Sequence, residues 1–378
     1  MQNRTLLAAA LSALFAVPAL ADPAPAAPTS PTLSSVLDAS GISLTGDMDL
    51  SYTALSGKGA FTSGTADRVF DANHNSFNLQ ALDLTVAKLP AEGIGALADV
   101  TLGKDAGVIA SSGTNIPNQT YDLTQAYMQY ATGGWTVIGG KFATDTGAEV
   151  IKTTGNTNFS RSILFGYAIP FTHTGMRATY KFSDAVSVTG GVNNGWDEVV
   201  DMHPNKTVEL GAVITPAKAF SLSVMDHNGV EQVTFGTAGI QGKRNLLDVV
   251  ATITATDSLN FVLNYDNGRQ ENAGNNGIAA LGTTAKWDGW AGYANYQFND
   301  FWRVSARGEV FNDKNGYRTG VTQKWKEATL TLAYMPTKTA EFRGEVRKDT
   351  SDVASFTYND NIARKTQSSL GLEAIYKF

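Results

Sequence analysis

Two stretches of the chain space charged residues by two. Arg303, Ser305, Arg307 and Glu309 alternate with Trp302, Val304, Ala306 and Val310, and Arg343, Glu345 and Arg347 alternate with Phe342, Gly344 and Val346. On an extended backbone successive side chains point to opposite faces, so each stretch puts charge on one side and apolar groups on the other. Arg177 and Lys181 follow the same logic upstream, as does Lys141. Such rows do electrostatic work: they form ion pairs, or they sort charged solutes by sign.

Other chemistry is poorly supplied. The chain has 0 Cys, hence no thiol nucleophile, disulfide framework or Cys-ligated metal. Its histidines, His74, His173, His203 and His227, lack metal-ligand spacing with one another or with a carboxylate on one face. His173 is as well placed for a structural role as for lining an interior. Ser160 lies near Asn158 and Arg161, but no Ser-His-Asp arrangement is readable. Asp71-Ala72-Asn73 and Asp313-Lys314-Asn315-Gly316 lack the full calcium-loop spacing, and the glycines of 190–195 stand in a strand context, not in a phosphate cradle. No enzyme, cofactor or metal site is expected. The formal net charge of −6 argues against a nucleic-acid partner.

The elements that hold these rows are strands. Leu370, Leu372, Ala374, Tyr376 and Phe378 alternate with Ser369, Gly371, Glu373 and Lys377, a strand with one oily face that ends on aromatics. Similar alternation runs from Ile42 to Tyr52 and recurs down the chain, for about sixteen strands in all. Short connections (90–93, 132–134, 183–185, 216–218, 256–258, 299–300 and 336–339) alternate with long polar ones near 56–76, 105–119, 143–172, 197–206, 227–245, 267–284, 312–323 and 349–364. This rhythm predicts an all-β transmembrane antiparallel up-and-down barrel over 41–378, with short periplasmic turns and long extracellular loops. Mean hydropathy is −0.14, as half-apolar strands require. Ile42–Tyr52 is expected to pair with Leu370–Phe378, and Tyr376 and Phe378 to serve barrel closure and sorting.

The front end reads as export. Arg4, an apolar run from Leu6 to Val17, and Ala19-Leu20-Ala21 form a signal peptide over 1–21. Residues 22–40 form a Pro-rich periplasmic linker, with one or two helical turns from Thr32 to Ser40 capped by Gly41. The destination is the bacterial outer membrane. The implied partners are its lipids and lipopolysaccharide and the barrel assembly machinery, with a homotrimer among the states left open.

Residues Tyr121 to Asp197, about a fifth of the chain, carry a resemblance. Gln125-Ala126-Tyr127, Gly139-Gly140-Lys141-Phe142 with Gly147 and Glu149, Asn158-Phe159-Ser160-Arg161-Ser162, Pro170-Phe171-Thr172-His173-Thr174-Gly175 and Asn194-Gly195-Trp196-Asp197 are similar to the OmpL-like beta-barrel porin family of Gram-negative bacteria. The resemblance implies a porin-like barrel without implying a substrate. In porins the third long loop folds into the lumen, and here the third, 143–172, is the longest. Asp145, Glu149, Lys152 and Arg161 on it are expected to form the constriction. The facing pore wall is expected to comprise Lys141, Arg177, Lys181, Arg303, Arg307, Arg343, Glu345 and Arg347. The function implied is passive diffusion of small hydrophilic solutes or ions; the alternative is a structural or adhesive barrel whose surface loops bind a partner.

Overall fold

Closure of the sheet depends on one pair of strands far apart in sequence. The computed structural model describes residues 30–55, 68–73, 75–113, 120–201, 205–233, 240–357 and 362–378. The expected signal peptide 1–21, linker residues 22–29, His74 and His203 lie outside the described residues. The chain divides into two units, Met1–Gly41 and Ile42–Phe378.

In the first unit Leu33–Ser40 forms helix α1, where a short helix was expected. The Ser35 N–H donates to Thr32 Oγ1 at 3.2 Å, and Gly41 ends the helix at φ 67.

The second unit is strand after strand: β1 (Ser43–Leu55), β2 (Phe77–Lys88), β3 (Gly93–Leu102), β4 (Tyr121–Thr132), β5 (Trp135–Ala143) and β6 (Thr172–Ser183). They continue as β7 (Val186–Asn193), β8 (Thr207–Ala217), β9 (Phe220–Gln232), β10 (Gln241–Thr254), β11 (Leu259–Ala273) and β12 (Ala279–Asn299). Then come β13 (Trp302–Asp313), β14 (Gln323–Thr337), β15 (Ala340–Ser351), a two-residue pair β16 (Phe356–Thr357) and β17 (Ala363–Arg364), and finally β18 (Thr366–Lys377). A short helix α2 (Lys104–Ile109) follows β3. All except β16 and β17 close into one barrel of 16 antiparallel strands.

The expected clasp is present. β1 pairs with β18 from Asp47↔Lys377 to Leu55↔Ser369, and Gly46 and Phe378 exchange backbone hydrogen bonds of 2.9 Å each. Closure leaves no unpaired edge, which a strand sheet in lipid cannot tolerate. Outward positions such as Met128, Met176, Leu210, Leu263, Leu330 and Leu370 are exposed apolar residues. Near the short turns the outer face turns aromatic, with Trp135 against Tyr180 at 4.7 Å and Trp302 against Tyr334 at 4.6 Å, the girdle of a membrane interface.

The short connections fall where expected. Two of the expected long loops are shorter, because β9 runs on to Gln232 and β10 starts at Gln241, while β11 runs to Ala273 and β12 starts at Ala279. Outward positions there are polar (Lys243, Asn245, Arg269, Lys286), so the apolar alternation stops while the hydrogen-bond ladder continues. The buried apolar cluster lies inside, where Ile163, Leu164 and Phe165 of the third long loop pack with Phe70, Ile109, Trp287 and Trp325.

The clasp is testable at Gly46. A methyl group there would sit 2.5 Å from the Phe378 ring and 2.6 Å from the Asp83 carbonyl oxygen, so backbone has to move. Gly46→Val is expected to destabilise the barrel by about 1–3 kcal/mol. The measurement is the temperature at which the folded, heat-modifiable band disappears on a gel; an unchanged temperature would show that the approach is not tight.

Candidate functional site

The chemistry-bearing side chains meet where residues 144–171, between β5 and β6, lie against the inner faces of other strands. The period-two rows on β13 and β15 point inward as their spacing predicts. Arg307 is fully enclosed: its guanidinium pairs with Glu149 of the loop at 2.8 Å and Glu327 of β14 at 3.0 Å, and donates to the Ser160 carbonyl at 2.6 Å. Arg343 pairs with Glu341 at 2.7 Å and Glu373 at 3.0 Å, and donates to the Asn156 carbonyl at 2.9 Å. Arg347 pairs with Asp349 at 2.7 Å and donates to the Arg161 carbonyl at 2.8 Å.

Carboxylates hold the loop from the other side of its peptide groups. Glu345 accepts from the N–H groups of Phe159 at 2.8 Å and Ser160 at 3.1 Å, and Glu309 from those of Ile163 at 2.8 Å and Leu164 at 3.1 Å. Glu373 accepts from Thr153 Oγ1 at 2.7 Å. Each buried charge is thereby multiply bonded, the condition for tolerating its loss of hydration. Glycines make the room: a side chain on Gly371 of β18 would collide with the Phe159 ring, and one on Gly289 of β12 with Leu164. Leu164–Ala168 form one turn of π-helix, and the Ala168 carbonyl accepts from Trp287 Nε1 at 3.1 Å.

The predicted residues divide in two. Glu149, Arg161, Arg307, Arg343, Glu345 and Arg347 fasten the loop and are buried, so they do not present free charge to a lumen. Arg161 turns back into its own loop, donating to the Ile151 carbonyl at 2.6 Å and stacking on Phe70. Arg303 pairs with Glu341 at 2.6 Å. Asp145 and Lys152 keep partial exposure, with Asp145 3.3 Å from Arg177 and Lys152 2.8 Å from Asp99 on β3. Arg177 pairs with Glu209 of β8 at 2.6 Å.

Two expected wall residues are displaced. Lys141 lies in register with Ala126 and Thr174, one step from the face of Phe142 and Arg177, and its buried ammonium pairs with Asp122 at 3.0 Å. The cause is local: β4 and β5 part beyond Ala126, where Gln125 Oε1 accepts the Ala143 N–H at 3.0 Å, and Lys141 reaches through that gap. Lys181 sits beside the β6–β7 turn, exposed and paired with Asp184 at 2.7 Å.

Sequence reading missed the acidic inward residues Asp47, Asp49, Asp83, Asp99 and Asp122 of β1 to β4, although the same alternation (Asp47 and Asp49 between Met48 and Leu50) marks them. It also missed α2, whose Asp105 is buried and accepts from Gln80 Nε2 at 3.2 Å. Burial pushes the Asp105 carboxyl up to about 8, against the opposing pull of Arg161 and with help from Asp83. No spacing in the sequence marks the convergence of His173, Glu209 and His227, all buried.

Two outcomes test this packing. Arg307→Leu strands Glu149 and Glu327 and is expected to cost about 3–5 kcal/mol in thermal unfolding of the purified barrel. Arg307→Lys should recover only part, because an ammonium cannot serve that many directions at once; full recovery would mean that charge alone matters. Asp105 holds its proton on folding, so its stabilising contribution is complete below its ordinary value of 3.8 and is lost as pH rises towards about 8. Asp105→Asn should leave Tm unchanged near pH 4 and raise it near pH 8; a shift of equal size at both would exonerate the carboxyl.

Known proteins place this geometry. The OmpL-like beta-barrel porin-2 family model matches residues 41–378. Among solved structures, the outer-membrane channel DcaP of Acinetobacter baumannii aligns with a TM-score of 0.60 at 13% identity, covering 89% of this chain and 97% of that one. The anion-selective porin from Comamonas acidovorans aligns with a TM-score of 0.62 at 11% identity, covering 89% and 99%. Outer-membrane expressed OmpT of Vibrio cholerae gives 0.59 at 12% identity, covering 89% and 97%. At these identities the likeness is one of fold. No curated protein sequence matches. With the barrel, the clasp and the inward loop accounted for across the matched residues, the chain belongs to the OmpL-like beta-barrel porin-2 family.

Proposed function

We propose that the protein is a passive outer-membrane channel for small hydrophilic solutes or ions, without catalytic activity. One observation carries this reading: part of the interior wall is left uncovered. Inward residues of β13 to β15 are buried under the loop, whereas Tyr127, Gln129, Thr179, Thr189, Ser223, Val250 and Val262 on β4 to β11 keep partial exposure. The loop edge nearest the open side bears Asp145, Val150 and Lys152, none of them buried. A polar, water-accessible arc beside a charged edge is what solute passage requires, with radius and lining charge setting selectivity.

In this reading Asp145, Lys152 and Arg177 line the constriction. Glu149, Arg161, Arg307, Arg343, Glu345 and Arg347 fix its position, Arg303 reinforces the wall, and Lys181 marks the periplasmic mouth. Residues 1–21 direct export, and Tyr376 and Phe378 present the closing strand to the assembly machinery. One OmpT structure of Vibrio cholerae is described as a trimer form, which supports a homotrimer in outer-membrane lipid and lipopolysaccharide. The rival, a structural or adhesive barrel that binds partners through its surface loops, draws support from the saturated β13–β15 wall. Planar-bilayer recordings decide between them, since a barrel that conducts nothing is no channel.

Selectivity should depend on pH through Asp145. Burial raises its carboxyl to about 6, the Arg177 guanidinium opposing and Glu209 adding to the rise. Protonation removes a negative charge from the opening, so lowering pH through 6 should move permeability towards anions. One unit charge about 6 Å from a passing ion is worth about 0.7 kcal/mol in water and about half that at 0.1 M salt, with opposite sign for cation and anion, or about threefold in the permeability ratio. Reversal potentials under a salt gradient measure it. Asp145→Asn should be flat with pH and match the acidic wild type; a retained pH dependence would assign the effect elsewhere.

A further inference from the structure

Behind the first residues of the loop, three strands bring nitrogen and oxygen donors to one point. In register across the wall run Arg177 of β6, Gly191 of β7, Glu209 of β8 and His227 of β9. Gly191 has no side chain, and one built there would collide with the Glu209 carboxylate, so the glycine lets Glu209 reach across β7 to Arg177. His173, four residues from Arg177 along β6, stacks on His227 with ring centroids 4.9 Å apart and planes 10° apart. One donor atom from each of His173, Glu209 and His227 lies within 4.8 Å of the others.

Two hydrogen-bonding details favour a ligand. His173 Nδ1 lies 3.1 Å from the Gly195 carbonyl oxygen and so carries the proton, which leaves Nε2 as an acceptor, with the Thr144 hydroxyl 3.4 Å away. A ring nitrogen donating to a backbone carbonyl while the other faces inward is the second-shell arrangement of metal-bound histidines. Among the described residues His227, only 1% exposed, makes no hydrogen bond through either ring nitrogen. An unsatisfied buried imidazole is costly, and in native proteins such a group calls for a partner such as an ion. Asp145 Oδ1 lies 3.9 Å from His227 Nε2 and 3.3 Å from the Arg177 guanidinium, with no hydrogen bond among the described residues.

We propose that His173, His227 and Glu209, joined by Asp145 of the loop, bind a first-row divalent metal ion, with zinc the best fit. Imidazole and carboxylate donors without thiolate suit zinc, whose bonds of about 2.0–2.2 Å in a tetrahedron put ligand atoms about 3.4 Å apart. The side chains need to close by about an ångström from where they stand, a shift within rotamer adjustment. Charge permits it: two carboxylates against the Arg177 guanidinium leave one net negative charge for the cation to meet. Arg177 holds Glu209 through Oε1 at 2.6 Å and through Oε2 at 3.0 Å; on metal binding Oε2 would turn to the ion while Oε1 keeps its bond. The Asp145 side chain, 29% exposed, is the entrance from the lumen. An ion here would tie the start of the loop to β6, β8 and β9 and pin the open side of the constriction.

The test uses Co2+ and Zn2+ on the purified full-length barrel after chelator treatment and dialysis. One equivalent of Co2+ should bind per chain with visible d–d bands of tetrahedral intensity. Zn2+ should displace it and raise Tm. His173→Ala and His227→Gln, checked for folding by heat modifiability, should each weaken Co2+ binding at least tenfold, and Asp145→Asn by a smaller factor. Wild-type barrel that shows no d–d spectrum at equimolar Co2+ overturns the site without recourse to any variant. So does Co2+ binding that survives both histidine substitutions.

Discussion

The position of everything inside this barrel rests on the neutralisation of buried charge between residues 144–171 and the inner faces of β13, β14, β15 and β18. An ion moved out of water costs several kcal/mol unless its partners surround it, so such a network is stable when complete and costly when partial. The wall meets this condition largely through the loop main chain. Glu309 and Glu345 take peptide N–H groups, while Arg307, Arg343 and Arg347 give to peptide carbonyls. Main-chain recognition locates the loop by its path rather than by its side chains. The loop can therefore vary in sequence at its free edge while its place stays fixed.

The rest of the interior follows from that choice of side. With the loop drawn to β13–β15, the buried aromatic groups gather there too, Trp287 and Trp325 packing beside Phe165 and Tyr167. Facing them, β4 to β11 keep partly exposed inward residues such as Tyr127, Thr179, Thr189 and Ser223 beside buried charged ones such as Asp122, Glu209 and Asp266. The barrel thus has apolar surface outside and, inside, a stretch of wall packed against the loop and a stretch that keeps partial exposure. Asp145, Lys152 and Arg177 keep partial exposure at the border between the two stretches, as does Arg303 near the start of β13.

Much of this could be read from the chain, and for a physical reason. Alternation is a local property, so the strand faces, the inward direction of Arg303, Arg307, Arg343 and Arg347, and the closing pair of strands all follow from neighbours two residues apart. The inward loop was legible from its length and from its mixture of charged and apolar residues. Partnerships were not. Arg307 meets Glu149 because the loop lies against β13, and His173 meets His227 because register and curvature align strands that are distant in sequence. Lys141 escaped its parity because β4 and β5 part at Ala126, an event no spacing records. The extension of β9 to β12 beyond the apolar band was hidden because outside lipid a strand no longer needs an oily face.

The clasp between β1 and β18 has a consequence for the order of assembly. Asp47 and Lys377 become neighbours only when the chain between them is in place, and Arg68 meets Asp349 across a comparable separation. Contacts of such separation come late on a folding route, since the entropy of joining distant segments must be met before they repay it. The loop lies within the ring that this seam completes, and its bonds run to β13, β14, β15 and β18 beside the seam. A half-built sheet, still open along that edge, is the state in which 144–171 has the freest way inside. The seam therefore acts as the last stitch over a packed interior, and a chain that closed early would trap its own loop on the wrong side of the wall.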